Sequence, residues 1–193
     1  MAAKAPDCRP YLGMNCRSPS SRGELILRWI WLLVEGSLFR WSPRPFHAWR
    51  AALLALFGAK IESTREVVIF PTVRVHFPWK LELQPRSMIG PRVTIYNLAP
   101  VTLEFGANVS QNCHLCAGTH DFNRWSMPLV AQPITIGRNA WVAADVFVGP
   151  GVTIGELCVV GARSVVVRDL PPRMVCAGHP CRPLHERSEL EAG

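Results

Sequence analysis

No stretch of this 193-residue sequence is apolar for long enough to cross a bilayer. The longest candidate, Leu25 to Phe39, is interrupted by Arg28 and Glu35 and falls short of the roughly 20 residues a spanning helix needs. The first 23 residues are polar and proline-rich and hold no continuous apolar core, so a secretory leader is not expected and the chain is expected to stay in the cytoplasm. Lys and Arg outnumber Asp and Glu by 21 to 14, a net charge of +7, yet no run of five basic residues occurs. That pattern attracts anions diffusely and argues against a nucleic-acid partner. The cysteines lack organisation: seven is an odd number, and Cys8, Cys16, Cys113, Cys116, Cys158, Cys176 and Cys181 form no repeated framework. Cys113 and Cys116 make one CxxC with no second pair, only half of a four-cysteine zinc site, so reduced thiols and no metal are expected. The length is also too small for two full domains.

Two kinds of text remain. Residues 24–58 read as a helical segment in two pieces, ELILRWIWLLVEGSLFRW and FHAWRAALLALFG, parted by Ser42-Pro43-Arg44-Pro45 and stopped by Gly58. The mixture of Trp29, Trp31, Phe39 and Trp41 with Arg28 and Arg40 suits either a helix packed on the rest of the protein or one lying in a membrane interface. From Ile61 onward the text is short, valine-rich runs with a period of six. Ile136, Val142, Val148, Ile154, Val160 and Val166 keep that interval without a miss, an event of chance probability on the order of one in several thousand. Gly137, Ala143, Gly149, Gly155 and Gly161 follow five of them, and Ala140, Val146, Val152, Cys158 and Ser164 fill a second small-residue slot.

A hexapeptide period builds one short strand and a turn; three hexapeptides close a triangular coil, and stacked coils pair as parallel strands. The aliphatic residue points inward, and the glycines beside it are expected to serve a narrow interior and a corner of positive φ. The same frame is read upstream at Ile61, Val67 and Val73, at Leu83, Ile89 and Ile95, and at Leu103, Val109 and Leu115, with two extra residues at Ala99 to Val101. It stops between Ala117 and Ile134, where HDFNRWSMPLVAQP reads as a loop ejected from the coil. The expected architecture is an all-β solenoid, a left-handed parallel β-helix over 59–184, with tails over 1–23 and 185–193 and the helical segment between tail and solenoid.

The strings ITIGRNAWVAADVFVGPGVTIGELCVVGARSVVVRDLPPRMVCAGHPCRPL and NLAPVTLEFGANVSQNCHLCAGTHDF resemble the hexapeptide-repeat acetyltransferases, in particular the colanic-acid-biosynthesis branch related to the maltose, galactoside and nodulation acetyltransferases. The likeness covers residues 24–184. It implies an enzyme that moves an acetyl group from acetyl-CoA to a hydroxyl of a sugar or exopolysaccharide precursor. His120, in Gly118-Thr119-His120-Asp121, matches the family's catalytic base, and imidazole is the side chain suited to take a hydroxyl proton at cellular pH. Asp121 would orient it or cap the loop. Asn97 lies near an acceptor-binding position, and Trp125 and Met127 of the loop are further candidates for acceptor contact. The resemblance also implies a groove for the pantetheine arm along Trp141, Ala143, Ala144, Gly161 and Ala162, with Arg168 and Arg182 meeting CoA phosphates. Because the family's site is shared between chains, a cyclic homotrimer is implied. The helical segment would bring the enzyme to the inner face of the membrane.

Two other readings stay open. A γ-type carbonic anhydrase on the same fold needs three histidines around zinc, and His76, His114 and His120 are present, although a separation of six puts His114 and His120 on successive faces. A catalytically silent solenoid would keep the repeat without needing the Gly-Thr-His-Asp string.

Overall fold

The structure, a computed structural model, describes residues 21–188. Most of the expected N-terminal tail, and the end of the C-terminal one, lie outside that range. Alternation along each short run sends one side chain inward and its neighbour outward. The inward set therefore lines a single continuous core, in which Ile136, Val142, Val148, Ile154, Val160 and Val166 are all fully buried, as are Leu103, Val109 and Leu115. Burying each such aliphatic contributes about 1.5–3 kcal/mol.

The strands assemble into the faces of a triangular parallel β-helix. Face A is β1 (Lys60–Ile61), β4 (Leu81–Leu83), β7 (Val101–Leu103), β12 (Ile134–Ile136) and β15 (Thr153–Ile154). Face B is β2 (Val68–Ile69), β5 (Met88–Ile89), β8 (Asn108–Val109), β13 (Trp141–Val142), β16 (Val159–Val160), β18 (Met174–Gly178) and β19 (Cys181–Glu186). Face C is β3 (Arg74–Val75), β6 (Thr94–Tyr96), β9 (His114–Cys116), β14 (Phe147–Val148) and β17 (Val165–Val166). Within the faces all pairings are parallel except β18 with β19, so the aliphatics stack in columns such as Leu83, Leu103, Ile136 and Ile154. The strand β19 runs to Glu186, two residues beyond the expected end of the solenoid.

Two sequence expectations need correction. In the first coil the inward residues at the ends of the strands are Ile69 and Val75, paired with Ile89 and Ile95, rather than Val67 and Val73. Val67 and Val73 are buried too, but in the slot two residues earlier, which elsewhere holds Ala107 or Ala140. Valine fits both slots, so periodicity alone misplaced the frame. The glycines after the aliphatics are also not the positive-φ residues. That conformation belongs two places further on, to Asn139, Asp145, Gly151, Leu157 and Arg163, and upstream to Arg86, Arg92, Gly106 and Asn112. What glycine supplies at Gly137 and Gly155 is room. A Cβ there would stand 2.7 Å from the Ile154 carbonyl oxygen and 2.5 Å from Pro172 N, both in the next coil.

Among the described residues the buried thiols, Cys113, Cys158, Cys176 and Cys181, are packing groups. Cys113, just before β9, points inward and Cys116 at its end outward, which alternation requires of residues three apart. Burial pushes the Cys113 thiol up to about 11 and that of Cys158 to about 12. Among the described residues no group of three or more His, Cys, Asp or Glu side chains is placed to hold a metal ion.

The helical segment closes the first coil. Helix α1 (Arg22–Val34) begins at an N-cap, Ser21, whose hydroxyl accepts from Glu24 N–H. A π-helical turn over Glu35–Phe39 follows, and α2 (His47–Leu56) ends at Gly58, whose φ of +90° closes the C-terminus. Trp31 is fully buried between Phe39 and Phe57, and its Nε1–H donates to the Val75 carbonyl at 2.6 Å. Arg50 is buried with no carboxylate partner among the described residues; its guanidinium donates to the carbonyls of Ile69, Pro43 and Arg44 and to Ser42 Oγ, tying the proline-rich break to the solenoid. Such an end cap covers aliphatic surface that an open solenoid would expose.

Candidate active site

The ejected loop is a β-hairpin. Strand β10 (Gly118–His120) pairs antiparallel with β11 (Leu129–Ala131), leaving the prism at the corner between faces C and A. Gly118 opens the hairpin in contact with the Leu98 side chain, whose terminal methyl a Cβ there would displace. His120 ends β10 with its ring exposed, and its Nδ1 lies 2.6 Å from the Met127 carbonyl. A carbonyl only accepts, so the ring proton sits on Nδ1 and the Nε2 lone pair is left available. Met127 adopts φ +39°, unusual for a residue with a side chain, and the turn Met127 N–H to Arg124 carbonyl (2.9 Å) holds it there.

Asp121 makes no hydrogen bond to this ring. One carboxylate oxygen accepts from Asn123 N–H at 3.1 Å and the other meets Arg124 Nε at 3.2 Å, so of the two roles held open for it the geometry provides loop capping. The orienting group on His120 is a main-chain carbonyl, which no side-chain motif could have revealed. Trp125 is 71% exposed on the same hairpin, beside exposed Phe122 and Leu129.

The residues expected along the CoA groove fall at the corner between faces B and C. Trp141 stands outward on β13, and its Nε1–H donates to Ser110 Oγ at 2.9 Å. The N–H groups of Trp141, Ala143 and Gly161 are engaged by Cys158, Val160 and Cys176 carbonyls of the next coil. Those of Ala144 and Ala162 make no hydrogen bond among the described residues, and they stack one above the other, with Arg163 N–H donating to the Ala144 carbonyl. Arg182 is opposite Ala177 across the β18–β19 pair, and Ala177 in turn lies against Gly161, which brings Arg182 to this same corner. Arg168 is exposed but follows β17 at the other corner, on the side of the His120 hairpin. Beside Trp141 in register, Asn108 has a buried Oδ1 with no hydrogen-bond partner, a group the sequence did not single out.

Asn97 is withdrawn from the expected set. It is fully buried, its Oδ1 accepts from Phe77 N–H and its Nδ2 donates to the Phe77 carbonyl, so the amide clamps two coils together. His76 and His114 share face C, where His76 stacks edge-on against Tyr96 and His114 against Phe147. Burial depresses the basicity of both, and for His76 the Arg28 charge adds to it.

The fold is a parallel β-helix with a histidine-bearing hairpin thrown from one corner. The family model described as "Bacterial transferase hexapeptide (six repeats)" matches residues 133–168. The chain is 44% identical over 169 residues to the Escherichia coli K12 protein WcaF, described as a "putative colanic acid biosynthesis acetyltransferase", with 88% of this chain and 92% of that one covered. It is 38% identical to the galactoside O-acetyltransferase of the same organism over about half of each chain, 51% and 50%. Among solved structures, a hexapeptide-repeat acetyltransferase of Vibrio cholerae O1 biovar eltor complexed with acetyl-CoA superposes with a TM-score of 0.76 at 26% identity, covering 88% of this chain and 92% of that one. A galactoside acetyltransferase in complex with CoA gives 0.73 at 26% identity, covering 88% and 84%. The chain belongs to the hexapeptide-repeat acetyltransferase family, in the branch of WcaF.

Proposed function

We propose that this acetyltransferase moves the acetyl group of acetyl-CoA to a hydroxyl of a sugar or exopolysaccharide precursor, with His120 as general base. The observation that carries the reading is the Met127 carbonyl on His120 Nδ1, which fixes the tautomer and presents Nε2 on an exposed hairpin. Nε2 takes the hydroxyl proton as the oxygen attacks the thioester carbon. The C–S bond of the resulting tetrahedral anion then breaks, and the imidazolium returns the proton to the departing thiolate, leaving an ester and CoA. The N–H groups of Ala144 and Ala162 suit the pantetheine amides or the oxyanion. Arg182 and Arg168 suit the phosphates. Trp125 and Met127, on the same hairpin as His120, suit contact with the acceptor.

His120 and the Ala144–Ala162 corner lie on different edges of one prism. Base and groove therefore meet only where one chain's corner faces another's, which supports a cyclic homotrimer with its sites between subunits. The exposed Phe122, Trp125 and Leu129 would be covered in the same contact. We place the enzyme in the cytoplasm, where acetyl-CoA is made, in peripheral association with the inner face of the membrane.

The test is His120→Ala assayed with labelled acetyl-CoA and a panel of glycan precursors. Loss of about 10² to 10⁴ in kcat with little change in the KM for acetyl-CoA is expected. A variant that keeps most of its activity would move the base to another residue, His114 first. A wild-type protein that transfers to no sugar would favour the silent scaffold.

A further inference from the structure

The surface of the helical segment is at odds with an end cap that faces only water. Its inner side is packed on the first coil, but Ile26, Trp29 and Leu33 form an outward stripe at helical spacing, with Trp29 70% and Leu33 73% exposed. One turn on, Ser37 opens into an apolar cleft of about 470 Å³ lined also by Leu38, Trp41, Pro43, Phe46 and Trp49, and Trp41 at its rim is 83% exposed. Contiguous apolar surface on this scale marks a contact.

The charges say with what. The residues from 22 to 57 hold Arg22, Arg28, Arg40, Arg44 and the buried Arg50 against only Glu24 and Glu35. Both carboxylates are turned to the solenoid: Glu24 Oε1 accepts from Trp79 Nε1–H at 3.0 Å, and Glu35 Oε1 from Val75 N–H at 2.8 Å. Arg28 lies over the Phe77 ring and Arg44 over that of Phe70, both toward the solenoid, so the outer surface is tryptophan and aliphatic with Arg22 and Arg40 as its basic groups and no carboxylate of its own segment. A second copy docked face to face would set arginine against arginine. A bilayer carrying negative headgroups takes the indoles at its interface and pairs with the guanidinium groups. No helix among the described residues is long and apolar enough to span.

We propose that the Ile26–Trp29–Leu33 stripe and the Trp41 cleft form an interfacial anchor that seats this enzyme on an anionic membrane surface. The proposal rests on the peripheral association put forward for the enzyme and names its surface and lipid charge; it does not depend on the acetyl-transfer chemistry. The anchor lies at the first coil, and the His120 hairpin leaves the solenoid after the third.

The experiment is flotation of the full-length protein with vesicles of phosphatidylcholine alone and with about 30% phosphatidylglycerol, alongside Trp29→Glu/Leu33→Glu, Trp41→Glu and Arg22→Gln/Arg40→Gln. All these substitutions are at partly or fully exposed positions, and circular dichroism and light scattering check that fold and assembly persist. Binding is expected to favour the anionic vesicles, to weaken at least about tenfold on placing a carboxylate in the stripe or cleft, and to weaken about fivefold per arginine removed. Quenching of the wild-type tryptophans by brominated lipid gives a reading independent of any variant. Wild-type protein that floats with neither vesicle overturns both the anchor and the peripheral association, and a simultaneous change of oligomeric state in Trp29→Glu/Leu33→Glu would identify the face as a contact between copies. Binding that survives all the variants leaves association standing but refutes this surface, and equal binding to both vesicles refutes the role of charge.

Discussion

Gly137→Ala isolates the close approach of neighbouring coils. Gly137 does not have positive φ, so alanine is compatible with its backbone and only space is at issue. The added Cβ would stand 2.7 Å from the Ile154 carbonyl oxygen and 2.8 Å from Glu156 N, both main-chain atoms of the next coil. Carbon and carbonyl oxygen settle at about 3.3 Å or more, so the coils must part locally by about 0.6 Å. The Gly137 N–H to Ile154 carbonyl bond, now 2.8 Å, would then stretch to about 3.4 Å and be largely lost. One lost hydrogen bond at about 1 kcal/mol plus overpacking strain of about 1–3 kcal/mol gives a cost of about 3 kcal/mol. For a chain of this size that is roughly 6–12 °C in Tm. The control is Gly149→Ala in the equivalent slot, where the Cβ meets the Val166 oxygen at 3.4 Å, an ordinary contact. It should be neutral or stabilise by up to about 1 kcal/mol through the unfolded chain. Thermal unfolding followed by circular dichroism decides: equal losses in both variants, or none at Gly137, would refute the argument from coil spacing.

Arg182→Ala should raise the KM for acetyl-CoA while sparing most of kcat, because a phosphate contact is about equally strong in ground and transition states. Steady-state kinetics that instead show a kcat loss alone would remove it from the phosphate site. Stability should fall as the pH drops below 6.5, since His76 and His114 have folded basicity depressed by burial below that ordinary value and the unfolded chain takes up protons first. Their contribution is complete above 6.5. Glu35, raised by burial above 4.5, acts with the opposite sign at the acid end, so the comparison is of urea midpoints between wild type and His114→Phe from pH 8 to 5.5. A variant with the wild-type slope would refute it.

The repeat itself dictated the solenoid, because a period of six with one aliphatic per turn leaves the chain no other way to bury Ile136 through Val166 together. The ejected segment was legible as the interval in which that period fails, although as a loop and not as a hairpin, and His120 through its Gly-Thr-His-Asp string. The structure alone decided what depended on contacts between coils. Valine's fit to either inward slot hid the frame of the first coil. The need for glycine at Gly137 arises from backbone 17 residues away, at Ile154, and not from its own φ. Asn97 looked like a polar group open to an acceptor until its amide was found closed on Phe77. The tautomer of His120 hangs on a main-chain carbonyl, which every residue possesses and no motif can mark. Sequence supplied the periodic, one-dimensional part of the answer. Which side chains face each other across coils and corners is set by distances that a linear chain does not contain.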